Sequence, residues 1–378
     1  VRSCICTPET APATVKEATV KEATVRPTLE PSDGNAVLTY GDRMPTIADV
    51  AREAGVAPST VSYVLSGKRA ISAATRARVE AGIARLGYRP NAGARALASA
   101  STKIVGLVVP LRTDVNVPVI MQFVASITLE CRRHDYDVLL LTKDEGPEAV
   151  SRVVQGSMAD ALIVMDVEAD EPRLDSLRGS GFPVVLIGIP DSPGEFAWVD
   201  LDFAAAARMC VERLVDLGHT DVSLLGATPA VYERGTSYAL RFRSGFEQAV
   251  AAAGVRGSVH AVVPGHRDVE QLVDDLLRDE PGVTGLVVHN EAALPALIQS
   301  LRARSRDVPE RMSIVALCPD DIAEAQSVAL DAVSIPAEDV GRRAVELAMA
   351  QLRGEAGDQE LIAPHLAVRG SAAPPARA

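Results

Sequence analysis

The chain has 378 residues, 47% of them hydrophobic, with 38 Lys/Arg against 50 Asp/Glu and a formal net charge of −12. That length allows two or three domains and a large core, and no uninterrupted apolar run has the length of a membrane span. The five cysteines stand singly apart from Cys4 and Cys6, and an odd count without ligand-like spacing argues against both a disulfide framework and a metal site.

Residues 1–43 hold a short ATVKE-ATVKE-ATV repeat between Pro-rich and Gly-containing stretches, with neither caps nor length for a stable element. A disordered leader is expected here. Its first residues lack the pattern of a secretory signal, so a cytoplasmic location is expected. Met44 directly precedes the first helix-start signal, and translation is expected to begin there, with the leader as an upstream, non-native extension.

The charge is unevenly divided. Residues 44–103 carry nine Lys/Arg and three Asp/Glu, a net +6, while residues 1–43 carry five bases and six acids, a net −1, which leaves −17 for the remainder if the whole is −12. A small basic module joined to a large acidic one suits nucleic-acid contact through the small module alone.

The basic module reads as three helices. Thr46 is a good N-cap with Asp49 three residues on, and Ile47, Val50, Ala51 and Ala54 make one apolar face that Gly55 ends. In APSTVSYVLSG, residues 57–67, the three- and four-residue spacing of Val61, Val64 and Leu65 marks a second helix, with Pro58 in its first turn and Gly67 as its stop. Its other face carries Ser59, Thr60, Ser62 and Tyr63, short or flat and uncharged, suited to a surface of hydrogen-bond edges such as a DNA groove. A third helix runs from Ser72 through Val79, Ile83 and Leu86. Helix, glycine turn, helix and supporting helix follow the helix-turn-helix plan.

After Pro90, the segment NAGARALASAS offers Asn91 as a cap and Leu97 as its one large apolar residue, too short for a stable isolated helix. From Ile104 the pattern becomes α/β. Strand-like runs (IVGLVVP, DVLLLT, ADALIVM, PVVLIG, DVSLLG, TGLVVH, MSIVAL) alternate with helical stretches at 118–134, 202–218, 238–254, 291–305 and 338–353. About ten strands in this pattern predict two doubly wound parallel-sheet subdomains with a ligand cleft between them.

The stretches TIADVAREAGVAPSTVSYVLSGK, TRARVEAGIARLGYRPNAGARALA and IVGLVVP, with VDLD at 199–202, LVDLGHTDVSLLG at 214–226 and VPERMSIVAL at 308–317, resemble the lactose-repressor (LacI/GalR) family of bacterial transcription regulators. The resemblance runs from Met44 to about Ser371. It implies an all-α helix-turn-helix headpiece at 44–90, a hinge helix and linker at 91–103, and a periplasmic-binding-protein-like α/β core at 104–371, with a disordered tail at 372–378. It further implies a cytoplasmic, nucleoid-associated homodimer on a near-palindromic double-stranded DNA operator, a small-molecule effector such as a sugar or other metabolite, repression rather than activation, and no cofactor, catalytic site, metal or membrane contact. Carried over by position, Pro58, Ser59 and Tyr63 read bases, Thr46, Thr60 and Ser62 position phosphates, and Leu97, with Ala94 beside it and Asn91 at the segment's start, wedges into a central base step. Tyr63 stands where many members have Arg, so a bidentate guanine contact is lost and a different outer half-site is expected. Ala57 is a weak cap where Ser or Thr is usual.

For the effector, the expected groups are Asp114 after the first strand, Arg241 and Arg243 before Gly245-Phe246, Asn290 after TGLVVH, and Asp320 after MSIVALCP. The family pattern is departed from in three places: Phe242 replaces the usual arginine, Asn290-Glu291 replaces Asn-Asp, and Leu-Cys-Pro at 317–319 displaces an aspartate. These departures argue against a conventional sugar and leave two alternatives, another metabolite or no effector at all. Cys318 is expected near the cleft, as a buried structural thiol more than a reactive one, and His219 at a helix end, where its charge would suit the dipole. Two other functions compete: an enzyme, against which stand the missing G-x-G-x-x-G, phosphate loop and G-x-S-x-G, and a small-molecule receptor whose headpiece only anchors it non-specifically to DNA.

Overall fold

The computed structural model describes residues 45–66, 69–88, 101–113 and 116–376. Asn91, Ala94, Leu97, Asp114, Cys4-Ile5-Cys6, Gly67 and the expected leader lie outside the described residues. The chain divides into two compact units, residues 1–89 and 90–378.

In the first unit, α1 (Ile47–Ala54), α2 (Pro58–Ser66) and α3 (Ala73–Leu86) enclose a small core of Val50, Ala51, Ala54, Val61, Val64 and Val79. Thr46 and Asp49 form a reciprocal capping box, and Gly55 ends α1 in the left-handed region at φ 62°. Ser72 caps α3 through Thr75 N at 3.3 Å. Leu65 differs from the expected apolar face: it is 39% exposed, because Val61 and Val64 alone fill the space toward α1 and α3.

The second unit holds two six-stranded sheets. Strands β1 (Ile104–Val108), β2 (Asp137–Leu141), β3 (Ala161–Val164), β4 (Val184–Ile187) and β5 (Ala197–Leu201) are joined by β11 (Gln359–Ile362) in the order β11-β5-β4-β3-β1-β2, all parallel. Strands β6 (Asp221–Gly226), β7 (Arg256–Ala261), β8 (Gly285–Val288), β9 (Ser313–Leu317) and β10 (Asp331–Val333) form the second sheet with β12 (Leu366–Ala367), in the order β12-β10-β9-β8-β6-β7. Only the β10–β12 pair is antiparallel. All seven strand-like runs of the sequence are strands.

Among the described residues the unit also holds the α-helices α4 (Val117–Arg133), α5 (Pro147–Gln155), α6 (Phe203–Asp216), α7 (Pro229–Glu233), α8 (Ser237–Ala253), α9 (His266–Asp279), α10 (Leu294–Ala303), α11 (Asp320–Glu324) and α12 (Ala337–Leu352). Buried clusters lie on both faces of each sheet, which explains why the central strands are apolar throughout. Helices α6 and α8 approach closely at Gly245, where a Cβ would lie 2.5 Å from the Ala204 carbonyl oxygen. Among the described residues no helix is long and apolar enough to cross a membrane.

The chain passes between the sheets three times: after β5, where α6 packs on β9; after β10, where α12 packs on α4 and β4; and between β11 and β12. Asp202 N donates to Ile362 O at 3.0 Å and Ser334 N to His365 O at 3.2 Å, tying the crossings together.

The tail expected to begin at 372 is packed through Ala373. Ala372 is 6% exposed, and Ala373 exchanges hydrogen bonds of 3.0 Å with Ser313 Oγ. Fully buried Asp331 anchors this segment, accepting from Arg369 N, Gly370 N and Ser371 N at 2.7, 2.6 and 3.2 Å, and from Arg213 Nε at 3.0 Å. Removing the carboxylate strands several buried donors and one guanidinium. Asp331→Ala is therefore expected to lower stability in urea by about 3–5 kcal/mol; an unchanged midpoint would show that the tail is held by packing alone.

Candidate functional site

Helix α2 presents the face read from the sequence. Pro58 and Ser59 are exposed, Tyr63 is 37% exposed, and Thr60 and Ser62 are half-buried. Ala57 supplies only its carbonyl, which accepts from Thr60 N at 2.9 Å, so the helix starts without a side-chain cap. The Thr46 hydroxyl donates to Asp49 Oδ2 at 2.7 Å, which commits its proton to the cap of α1. The sequence reading missed Arg69: its guanidinium lies 5.7 Å from the Tyr63 ring centroid, placing a cation beside the tyrosine that replaces the usual arginine.

In the second unit a cavity of about 200 Å³ opens between the carboxyl ends of the two sheets. The first sheet's side contributes Val109, Asn116, Ile120, Phe123, Met165 and Asp166. Asp200 comes from the end of β5, Phe203 and Ile335 from the chain crossings, and Thr228, Tyr238, His289, Asn290 and Glu291 from the second sheet's side. Asp166 follows β3 and His289 follows β8, the positions where strand ends turn toward a cleft.

The lining charges are engaged from outside the lining. Arg112 pairs with Asp166 and reaches Asp144 at 2.8 Å and Glu168 at 3.6 Å. Arg241 pairs with Asp200 and lies 5.4 Å from the Phe203 ring centroid. Burial pushes the Asp200 carboxyl up to about 6 against the pull of Arg241. Glu291 is half-buried; burial raises its carboxyl, and the side chain of Asn116 hydrogen-bonds to it across the cleft.

His289 sits among aromatic rings, with centroids of Phe242, Tyr238 and Phe203 at 4.3, 5.6 and 6.0 Å. It is 6% exposed, its Nδ1 has no hydrogen-bond partner among the described residues, and burial pushes its pKa down to about 3. The imidazole is therefore neutral at physiological pH.

Of the expected effector residues, Asn290 lines the cavity, though its Nδ2 donates to Val262 O at 2.8 Å. Arg241 lies behind Asp200. Arg243 points away, paired with Glu247 at 2.8 Å and 5.8 Å from the Tyr232 ring centroid. Asp320 also lies off the cavity lining, bonded to Ser334 Oγ at 2.9 Å and Arg369 at 2.5 Å. Glu291, noted in the sequence as a departure from the family's Asn-Asp, also lines the cavity, whereas Asp166, Asp200 and His289 were missed, although the strand-end rule applied to LIVMD and VDLD would have found the first two.

Cys318 is fully buried, and burial pushes its thiol up to about 12, which leaves it unreactive. His219 departs from the expected charged helix terminus. It is 2% exposed beyond the end of α6, with Nδ1 2.7 Å from Thr284 Oγ1 and Nε2 3.0 Å from Ala373 O, and burial lowers its pKa. A neutral ring donating through Nε2 and accepting at Nδ1 satisfies both contacts.

Residues 46–91 match the family described as bacterial regulatory proteins, lacI family, and residues 211–372 match a periplasmic binding protein-like domain. The transcriptional regulator RafR of Escherichia coli is 32% identical over 262 residues, covering 68% of this chain and 76% of the relative. The chain belongs to the lacI family. Catabolite control protein A of Priestia megaterium is 28% identical over 327 residues, 85% of this chain and 96% of the relative. The fold is that of the Lac repressor dimer bound to operator and the anti-inducer ONPF, at a TM-score of 0.76 and 22% identity over 88% of this chain and all of that one. This lacI-family chain is a regulatory protein and not an enzyme.

The buried histidine carries a pH signature. Its folded pKa lies below the ordinary 6.5, so the unfolded chain takes up a proton that the folded chain refuses, and stability present above pH 6.5 is lost as pH falls toward 3. His289→Phe is expected to reduce the loss in urea stability between pH 7.5 and 5.0 by roughly 2 kcal/mol. An identical acid loss in the variant would show that His289 titrates normally.

Proposed function

We propose that this lacI-family protein represses transcription by binding a near-palindromic operator as a homodimer, acting in the cytoplasm at the nucleoid, with an effector in the cleft setting operator affinity. Residues 44–90 serve as the headpiece, 91–103 as the hinge and 104–371 as the core. The observation that carries this reading is the exposed polar face of α2, with Pro58, Ser59 and Tyr63 outward, on the same chain as a cavity at the carboxyl ends of two sheets. A helix with short polar side chains suits a major groove, and the net +6 of residues 44–103 suits phosphates. Asn91, Ala94 and Leu97 take the minor-groove role, with Leu97 as the wedge. Tyr63 packs on a thymine methyl or donates one hydrogen bond, with Arg69 beside it.

For the dimer, the support is an apolar stripe on α4: Val117, Met121 and Leu129, at four- and eight-residue spacing, are 40%, 43% and 63% exposed. A second copy covering this stripe removes it from water.

Selection of genomic DNA fragments by the full chain at fixed salt tests the reading. One near-palindromic motif is expected, with affinity for it falling steeply and linearly on a log–log salt plot. Tyr63→Ala is expected to weaken binding to that motif by at least about fivefold while leaving non-specific binding unchanged. Fragments without a shared motif would overturn operator recognition and favour a small-molecule receptor with a general DNA anchor.

A further inference from the structure

The cleft is chemically unlike a site for a polyhydroxylated or anionic ligand. Its walls are mainly apolar, with Val109, Ile120, Phe123, Met165, Phe203 and Tyr238 among the lining side chains. Sugar hydroxyls need several partners each, and an apolar wall leaves them desolvated and unpaired.

No Lys or Arg lines the cavity among the described residues, while Asp166, Asp200 and Glu291 all do. Residues 114 and 115, beside the cavity in sequence, are Asp and Val and add no cation. The position that the family resemblance assigns to a gripping arginine is Phe242, fully buried with its ring centroid 4.3 Å from that of His289. Arg241 is spent on Asp200 and Arg243 on Glu247. An anion entering here meets the Glu291 carboxylate and no cation on the lining, because the guanidiniums of Arg112 and Arg241 are already paired with Asp166 and Asp200.

The charged groups facing the cavity are therefore hydrogen-bond acceptors. Glu291 offers carboxylate oxygens, while His289 meets the cavity with its neutral ring and keeps Nδ1 buried. A cavity of about 150 Å³ lined by apolar side chains can hold a benzene. The present 200 Å³ accommodates one ring with a short substituent.

Resting on the effector reading above, we propose that the effector is a compact, largely apolar ring compound bearing an amine or hydroxyl donor, bound with the ring among Phe123, Phe203 and Tyr238 and the donor at Glu291.

The test uses the full chain and four probes: 2-phenylethylamine, 2-phenylethanol, phenylacetate and cellobiose, followed by isothermal titration calorimetry and by thermal melting. The amine and the alcohol are expected to bind and to raise the melting temperature, with phenylacetate at least about tenfold weaker and cellobiose silent. Glu291→Gln is expected to weaken the amine about tenfold and to leave the alcohol within about twofold, because only the ammonium loses a charge partner. Ala292→Trp, at an exposed lining position, should fill the cavity and abolish binding of both without lowering the melting temperature of the ligand-free protein.

Phenylacetate or cellobiose binding as tightly as the amine, and lost in Ala292→Trp, would overturn the ligand class while keeping the cleft as an effector site. Binding that survives Ala292→Trp would place the ligand elsewhere and overturn the assignment. Silence of all four probes would count against both the ligand class and the effector reading.

Discussion

Three passages of backbone between two parallel sheets are the constraint on which the rest of this molecule depends. Because each sheet takes its last strand or two from chain that has already crossed, neither half is a continuous segment, and the halves move only by bending the crossings near Asp202, Ile335 and Pro364. Hydrogen bonds between crossings, Asp202 N to Ile362 O and Ser334 N to His365 O, make them bend together. Relative rotation of the halves is thereby the soft degree of freedom, and the cores on both faces of each sheet are stiff beside it.

The cavity lies where that motion is felt. Phe203 and Ile335 line it from the crossings themselves, and Asn116 and Glu291 meet across it. A ligand touching both halves selects one angle between them. In the proposed function its influence on the headpiece follows from linkage, which requires the operator-bound form to prefer one angle as well. The Arg112 and Arg241 pairs hold the lining carboxylates in place without contributing positive charge to the lining.

Central strands were readable from sequence because burial on both faces demands unbroken apolar runs, as in ALIV at 161–164 and GLVV at 285–288. The peripheral strands β7, RGSVHA, and β11, QELI, were not, because an edge strand has solvent on one side and needs no such run. Helix α9, HRDVEQLVDDLLRD, was missed although Val269, Val273 and Leu276 give it a clear apolar face, because nine of its fourteen residues are polar and dilute the period. In the site, arginines were chosen for standing next to Phe242, but successive residues on a helix point about 100° apart. Arg241 and Arg243 therefore leave the helix on opposite sides of the direction that Phe242 takes, one toward Asp200 and one toward Glu247. The strand-end residues Asp166 and His289 lay in the right kind of position, and only the depth of their burial required coordinates.

Charge is distributed to match the division of labour: the basic module meets phosphates, and the acidic core stays off them. The proposed link between the two is the angle between the halves of the core, so the most direct measurement is the distance across the cleft. Spin labels at Lys143, after β2, and Arg267, in α9, sit on exposed positions on either rim. Double electron–electron resonance on the full chain, with and without its selected operator, would read the angle directly. If operator binding and cleft closure are linked, operator DNA shifts or narrows the distance distribution even with no effector present. A distribution unchanged by operator would contradict the coupling and leave the headpiece and the cleft as independent devices on one chain.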